Sequence, residues 1–195
     1  DPFGCSLFYL MQLAVLCWVG VPFPESHGGA GMGFAELAVV LEALGRTLAP
    51  EPFLSTVLLG GQAVLLGGSA AQQQAWLPGI CAGEKILALA QQEPRSRYDL
   101  RRVATQARAD GGGFRIDGEK IQVLDAANAD ALVVVARTAG AERDAEGITL
   151  LLVPRGSAGV TITPQTRVDH RNAALVRFQG ARVGADAVLG GARQG

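Results

Sequence analysis

Apolar positions change rhythm part-way along the chain. In the first half they recur every three or four residues. Leu37, Val40, Leu41 and Leu44 mark one stripe, which predicts a helix over Phe34 to Leu44 with Gly45 suited to end it. Leu54 to Leu66 predicts a second, strongly apolar helix, in which Gly60-Gly61 permits close packing at some loss of helix propensity. Ser69 suits the N-cap of a third helix, with Trp76, Leu77 and Ile80 as its buried face and Gly83 at its end. From about Ile86 the period shortens to two. Thr105, Ala107 and Ala109 alternate with Gln106, Arg108 and Asp110, whereas Leu132 to Ala136 and Ile148 to Val153 are unbroken runs suited to burial on both faces. Turn chemistry at Asp110-Gly111-Gly112-Gly113, Asp117-Gly118 and Pro154-Arg155-Gly156 separates about seven short strands. After Arg182 the pattern turns back towards helix. Helices followed by strands predict an α+β protein: an N-terminal helical segment, then a small antiparallel β-barrel or sandwich domain.

Residues 2 to 24 carry no charge. Cys5 to Val21 is consistent with a buried helix, a short membrane segment or signal-type core, or an abnormal or cloning-derived start. The absence of a basic flank and the presence of Gln12 favour the buried helix, and Pro22 and Pro24 should stop it.

Composition narrows the function classes. The chain has 195 residues, a net charge of −1 and 49% apolar residues, enough for a substantial core in one or two domains. Near-neutral charge without a basic run argues against a nucleic-acid surface. The one basic knot, Arg95, Arg97, Arg101 and Arg102, reads either as a solvated loop or as an anion site for phosphates. Three scattered cysteines and two isolated histidines, His27 and His170, argue against a disulfide framework or a metal site and fit a cytoplasmic protein. Gly28-Gly29-Ala30-Gly31-Met32-Gly33 lacks the preceding strand and spacing of a dinucleotide fingerprint and the Gly-Lys-Ser/Thr of a P-loop, so it reads as a loop.

A set of residues in one order carries a resemblance. They are Gly20-x-Pro22-x-Pro24-Glu25, Gly28-Gly29, Glu42-x-x-Gly45-Arg46, Glu93-Pro94 with Asp99, Gly118-x-Lys120, Ala129-Asp130, Ala136-Arg137, Gly147, Leu152-Val153, Gly159-Val160, Asp169, Val183 and Leu189-Gly190. Over residues 18 to 195 the chain resembles the acyl-CoA dehydrogenase family, FAD enzymes that desaturate acyl-CoA thioesters. The resemblance implies residues 1–84 as an incomplete N-terminal helical domain and 85–185 as the middle β-domain. Residues 186–195 would begin a C-terminal helical domain, the rest of which is missing.

The same resemblance implies FAD as cofactor, an acyl-CoA substrate, an electron-transfer flavoprotein as acceptor, and a homo- or hetero-oligomer, with no membrane role. Flavin contacts would fall on Leu89, Ala90, Gln91, Gln92 and Tyr98 and on Gln122, Val123 and Leu124; Arg97 and Tyr98 would face substrate. Gln92 stands where the family usually has Thr, Tyr98 where it has Ser, Gln122 where it has a Trp and Leu124 where it has a Thr. These departures look like the divergent small-subunit branch of paired dehydrogenases. The catalytic Glu of the family is expected beyond Gly195, so no catalytic residue is assigned within the chain, which alone is expected to be inactive. The alternative is a non-catalytic partner subunit of a heteromeric complex.

Overall fold

The computed structural model describes residues 4–169 and 171–190, with side chains from Leu10 onward; His170 and residues 1–3 and 191–195 lie outside it. The chain divides into two compact units at Leu87/Ala88.

The first unit is helical. Helix α1 (Gly4–Val15) stops well short of Pro22, because Cys17 takes a left-handed backbone (φ 61°) that ends it first. Its fully buried expectation holds only in part: Leu10 is buried, whereas Met11, Val15 and Leu16 are exposed. No helix among the described residues is long and apolar enough to cross a membrane. Helix α2 (Phe34–Arg46) carries the predicted stripe, with Leu37 fully buried. Gly45 does not end it: one glycine costs only about 1 kcal/mol of helix propensity, too little to stop the helix, which runs one residue further to Arg46. Leu48 supplies the left-handed residue instead (φ 50°).

The apolar helix predicted from Leu54 begins as a π-helical stretch (Leu54–Gly61) and continues as α3 (Gln62–Gly67). Gly60 and Gly61 do serve close approach: a Cβ on Gly60 would lie 2.4 Å from Cβ of Leu87, and one on Gly61 2.5 Å from Cζ of Phe23. Helix α4 (Ala70–Cys81) is capped as expected. The Ser69 hydroxyl accepts from the Gln72 N–H and the Gln72 side chain accepts from the Ser69 N–H, a reciprocal capping box. Leu77, Ile80 and Cys81 are buried beneath it, and burial pushes the Cys81 thiol up to about 11.

The second unit is one sheet of eight strands: β1 (Leu87–Ala90), β2 (Gln106–Asp110), β3 (Gly113–Leu124), β4 (Ala131–Arg137), β5 (Ile148–Pro154), β6 (Val160–Gln165), β7 (Ala173–Gly184) and β8 (Val188–Leu189). Their order is β6-β7-β3-β2-β4-β5-β8, with β1 also paired to β4. Along this order pairing is antiparallel except between β2 and β4, which meet in a parallel step at Gln106 beside Arg137. β4 is buried at every position, as its unbroken apolar run predicts. β6 and β8 are the outermost strands, the first carrying Pro164 and the second only two residues long.

Two predicted features come out differently. Gly111 and Gly112, both at positive φ, make the two-residue β2–β3 hairpin, but Asp117-Gly118 makes no turn. It lies inside β3, opposite a bulge in which Gly180 of β7 is the extra residue (φ 67°) and donates its N–H to Oδ1 of Asp117 at 2.7 Å. The apparent return to helix after Arg182 is the end of β7, one 3₁₀ turn (Ala185–Ala187), and then β8 beside β5.

Candidate functional site

A second bulge shapes the candidate site. Between Lys120 and Val123 the register of β3 against β7 shifts by one residue, and Gln122 takes a left-handed backbone (φ 52°). On the segment leaving β1, Arg97 does the same (φ 46°). Non-glycine residues in this region store roughly 1–3 kcal/mol and occur disproportionately where a site demands them. The two segments meet where the Ile121 N–H donates to the Gln92 carbonyl at 2.8 Å. Around that junction lies an open cavity of about 320 Å³, lined by Gln92, Glu93, Pro94, Arg97, Tyr98, Ile121 and Gln122.

The structure thus brings together four of the predicted site residues, Gln92, Arg97, Tyr98 and Gln122, from stretches some two dozen positions apart. All four side chains are exposed, Tyr98 at 97%. The remaining five, Leu89, Ala90, Gln91, Val123 and Leu124, are not in the lining; Ala90 and Val123 have buried side chains, so only their backbone atoms can serve a ligand. The basic knot is half engaged. Arg102 pairs with Glu142 at 2.7 Å and donates to the Arg95 carbonyl, and Arg101 lies 3.6 Å from Asp99, leaving Arg97 on the cavity.

Beneath the cavity is a buried ion pair to which sequence reasoning assigned no role. Lys120 Nζ donates to Oε1 of Glu93 at 2.7 Å and to the Gln91 carbonyl at 3.2 Å. Glu93 also accepts from the Ala104 N–H (2.7 Å, Oε2) and the Thr105 N–H (2.9 Å, Oε1). Burial alone would push the Glu93 carboxyl up, but the Lys120 ammonium and the hydrogen bonds from residues 104 and 105 hold it below the ordinary glutamate value. Burial draws the Lys120 ammonium below the usual lysine value, with Glu93 opposing. A carboxylate with both oxygens so engaged is a poor proton acceptor. The only hint in the sequence is that both residues lie in matched motifs, Glu93-Pro94 and Gly118-x-Lys120.

A second buried cation stands at the end of β4. Arg137 has no carboxylate partner among the described residues; its guanidinium donates to the carbonyls of Arg101, Val103, Ala139, Glu142, Asp144 and Glu146 at 2.8–3.3 Å. It fastens the 138–147 loop to the segment that leads away from the cavity.

Chemically, the cavity offers two amide side chains that can each donate and accept, a guanidinium, a phenol, and apolar surface from Pro94 and Ile121. That set suits a flat polar ring with an anionic extension.

Residues 7–84 match the description "Acyl-CoA dehydrogenase, N-terminal domain" and residues 88–183 match "Acyl-CoA dehydrogenase, middle domain". The chain belongs to the acyl-CoA dehydrogenase family. Among curated relatives, acyl-CoA dehydrogenase FadE12 of Mycobacterium tuberculosis is 31% identical over 180 residues, covering 90% of this chain and 46% of that protein. Among solved structures, the ChsE4-ChsE5 complex from Mycobacterium tuberculosis superposes with a TM-score of 0.82 at 31% identity, covering 94% of this chain and 47% of that one. An acyl-CoA dehydrogenase complexed with FAD from Bacillus anthracis gives 0.84 at 27% identity, covering 96% and 33%. The chain therefore spans about half the length of the curated relatives it matches or less. The relatives are acyl-CoA dehydrogenases, which are oxidoreductases, and their helical and middle domains correspond to the two units described above.

Proposed function

We propose that this family member serves FAD-dependent α,β-desaturation of an acyl-CoA thioester, with its second unit holding the flavin. The observation that carries the reading is the cavity at the β1 exit and the β3 bulge. It joins the two stretches expected to touch flavin, with Gln92 and Gln122 on opposite sides of one hydrogen-bonded junction.

The residues present fit the polar edge of the ring. The Gln92 and Gln122 amides are exposed on the cavity and supply both donors and acceptors, Pro94 and Ile121 supply apolar contact, and Arg97 and Tyr98 suit a phosphate-bearing tail. Backbone groups of Leu89, Ala90, Gln91, Val123 and Leu124 border the same segments. When bound, FAD supplies acceptance of the hydride from the acyl β-carbon. The chain's own part is to orient the ring and its tail. Glu93 does not take the α-proton, because its oxygens are committed to Lys120, Ala104 and Thr105. The base therefore comes from outside this cavity, and an electron-transfer flavoprotein is the acceptor that the reaction calls for.

A second reading has specific support. Gln122 and Leu124 replace the indole and hydroxyl usual in the family, and one solved neighbour is a complex of two named chains, ChsE4 and ChsE5. In that reading the chain is a non-catalytic partner in a hetero-oligomer. The visible spectrum of the purified intact chain, with FAD released and counted, separates the two. Near-stoichiometric FAD with flavin absorption is the expected result; colourless protein that takes up no added FAD would favour the partner reading.

A further inference from the structure

Gln92 and Gln122 gain their positions from neither strand alone. β1 ends at Ala90, and Gln91 to Pro94 are outside any ladder; on the other side, Gln122 is the extra residue of a bulge, where ladder hydrogen bonds are interrupted. One hydrogen bond, Ile121 N–H to the Gln92 carbonyl, spans them directly at 2.8 Å.

The residues flanking that bond are Glu93 and Lys120, and both are buried. Lys120 grips the β1 exit twice, through the Gln91 carbonyl and the Glu93 carboxylate, and so brackets Gln92 from either side. Glu93 in turn holds the Ala104 and Thr105 N–H groups at the start of β2. Thr105 is itself pressed against Gly118, where an added Cβ would come within 2.8 Å of the Thr105 Cα. Three backbone segments thus converge on one ion pair directly under the cavity floor.

We infer that Glu93 and Lys120 are positioning residues that set the register of Gln92 against Gln122, and hence the fit of the ring-binding edge, without taking part in proton transfer. This rests on the flavin reading for its functional meaning, though not for its structural content. A buried ion pair is weak evidence for stability, since an apolar pair of similar volume often stabilises as well, so a role in fixing one geometry is the more economical account of its presence.

The test uses K120M and the double variant E93Q/K120M on the intact chain. The double variant leaves no uncompensated buried charge and keeps the unit folded if K120M does not. Amide exchange resolved by residue is read at Ile121 and across β4. The expected result is exchange at Ile121 faster by about tenfold or more, as for loss of a charge-assisted hydrogen bond, with β4 protection in the double variant retained. FAD retention in the same variants should fall by roughly ten- to a hundredfold. Unchanged Ile121 exchange in the double variant, or a fall at Ile121 matched throughout β4, would overturn the inference. So would wild-type FAD retention in a double variant. If the wild-type chain itself binds no FAD, the flavin reading fails while the exchange result still decides whether the pair sets register.

Discussion

Among the described residues the β unit buries two cations, and it satisfies them in opposite ways. Lys120 meets a carboxylate and one carbonyl, whereas Arg137 meets six carbonyls and no anion among the described residues. The difference follows from side-chain geometry. An ammonium is a compact charge whose desolvation is best offset by a single close anion, while a guanidinium spreads its charge over five N–H donors, here shared among six carbonyls. The setting differs too. Lys120 lies under the cavity between elements distant in sequence, and removing it strands a buried carboxylate. Arg137 gathers the carbonyls of a largely exposed loop, which water can reach once the side chain is gone.

Breaking the Lys120 arrangement should therefore have the larger effect. K120M is expected to lower stability by about 3–5 kcal/mol, because Glu93 is left as an uncompensated buried charge. Denaturant unfolding measures it, and E93Q/K120M should recover much of the loss. If the double variant is no better than K120M, the pairing does not account for the difference. R137M should lose less, about 1–3 kcal/mol, the scale for acceptors that lose their donor, with the damage seen as faster proteolysis within 138–147. R137K, which keeps the charge but not the fork, should fall between R137M and wild type.

Acid separates the two cations more finely. The folded value of Glu93 lies below its unfolded value, so the unfolded chain binds more protons in that window. The contribution of Glu93 is complete above the unfolded glutamate value and is lost as pH falls through the folded one. E93Q should flatten this acid limb, measured by unfolding midpoints between pH 3 and 7, and R137M should leave it in place. Smallest of all, D110N removes the exposed partner of Arg182 and should change stability by no more than about 0.5 kcal/mol.

How much of this was readable follows the range over which each feature is decided. Local rules sufficed for the Gly111-Gly112 hairpin, the Ser69 cap and the doubly buried β4. They failed at Asp117-Gly118 because a hairpin turn and a bulge recruit the same chemistry: a short carboxylate offered to a backbone N–H beside a glycine. They could not reveal the π-helical stretch, since an all-apolar sequence does not say whether a carbonyl is bonded four or five residues on. At the site, Gln92, Arg97, Tyr98 and Gln122 were found through resemblance and do share a cavity. The pairing of Glu93 with Lys120 spans 27 residues and exists only once the segment leaving β1 has been brought against β3. Arg137 is similar: one charge at the end of an apolar run gives no sign of the six carbonyls it will collect.

The sheet's outer margins have a consequence of their own. β6 is six residues long and carries Pro164, which has no N–H to offer, and β8 presents only two residues. Along these two strands a molecule approaching side-on finds few donors and acceptors in a continuous row to extend. Crowded chains at high concentration therefore find a poor template for strand-by-strand accretion into fibres at β6 and β8.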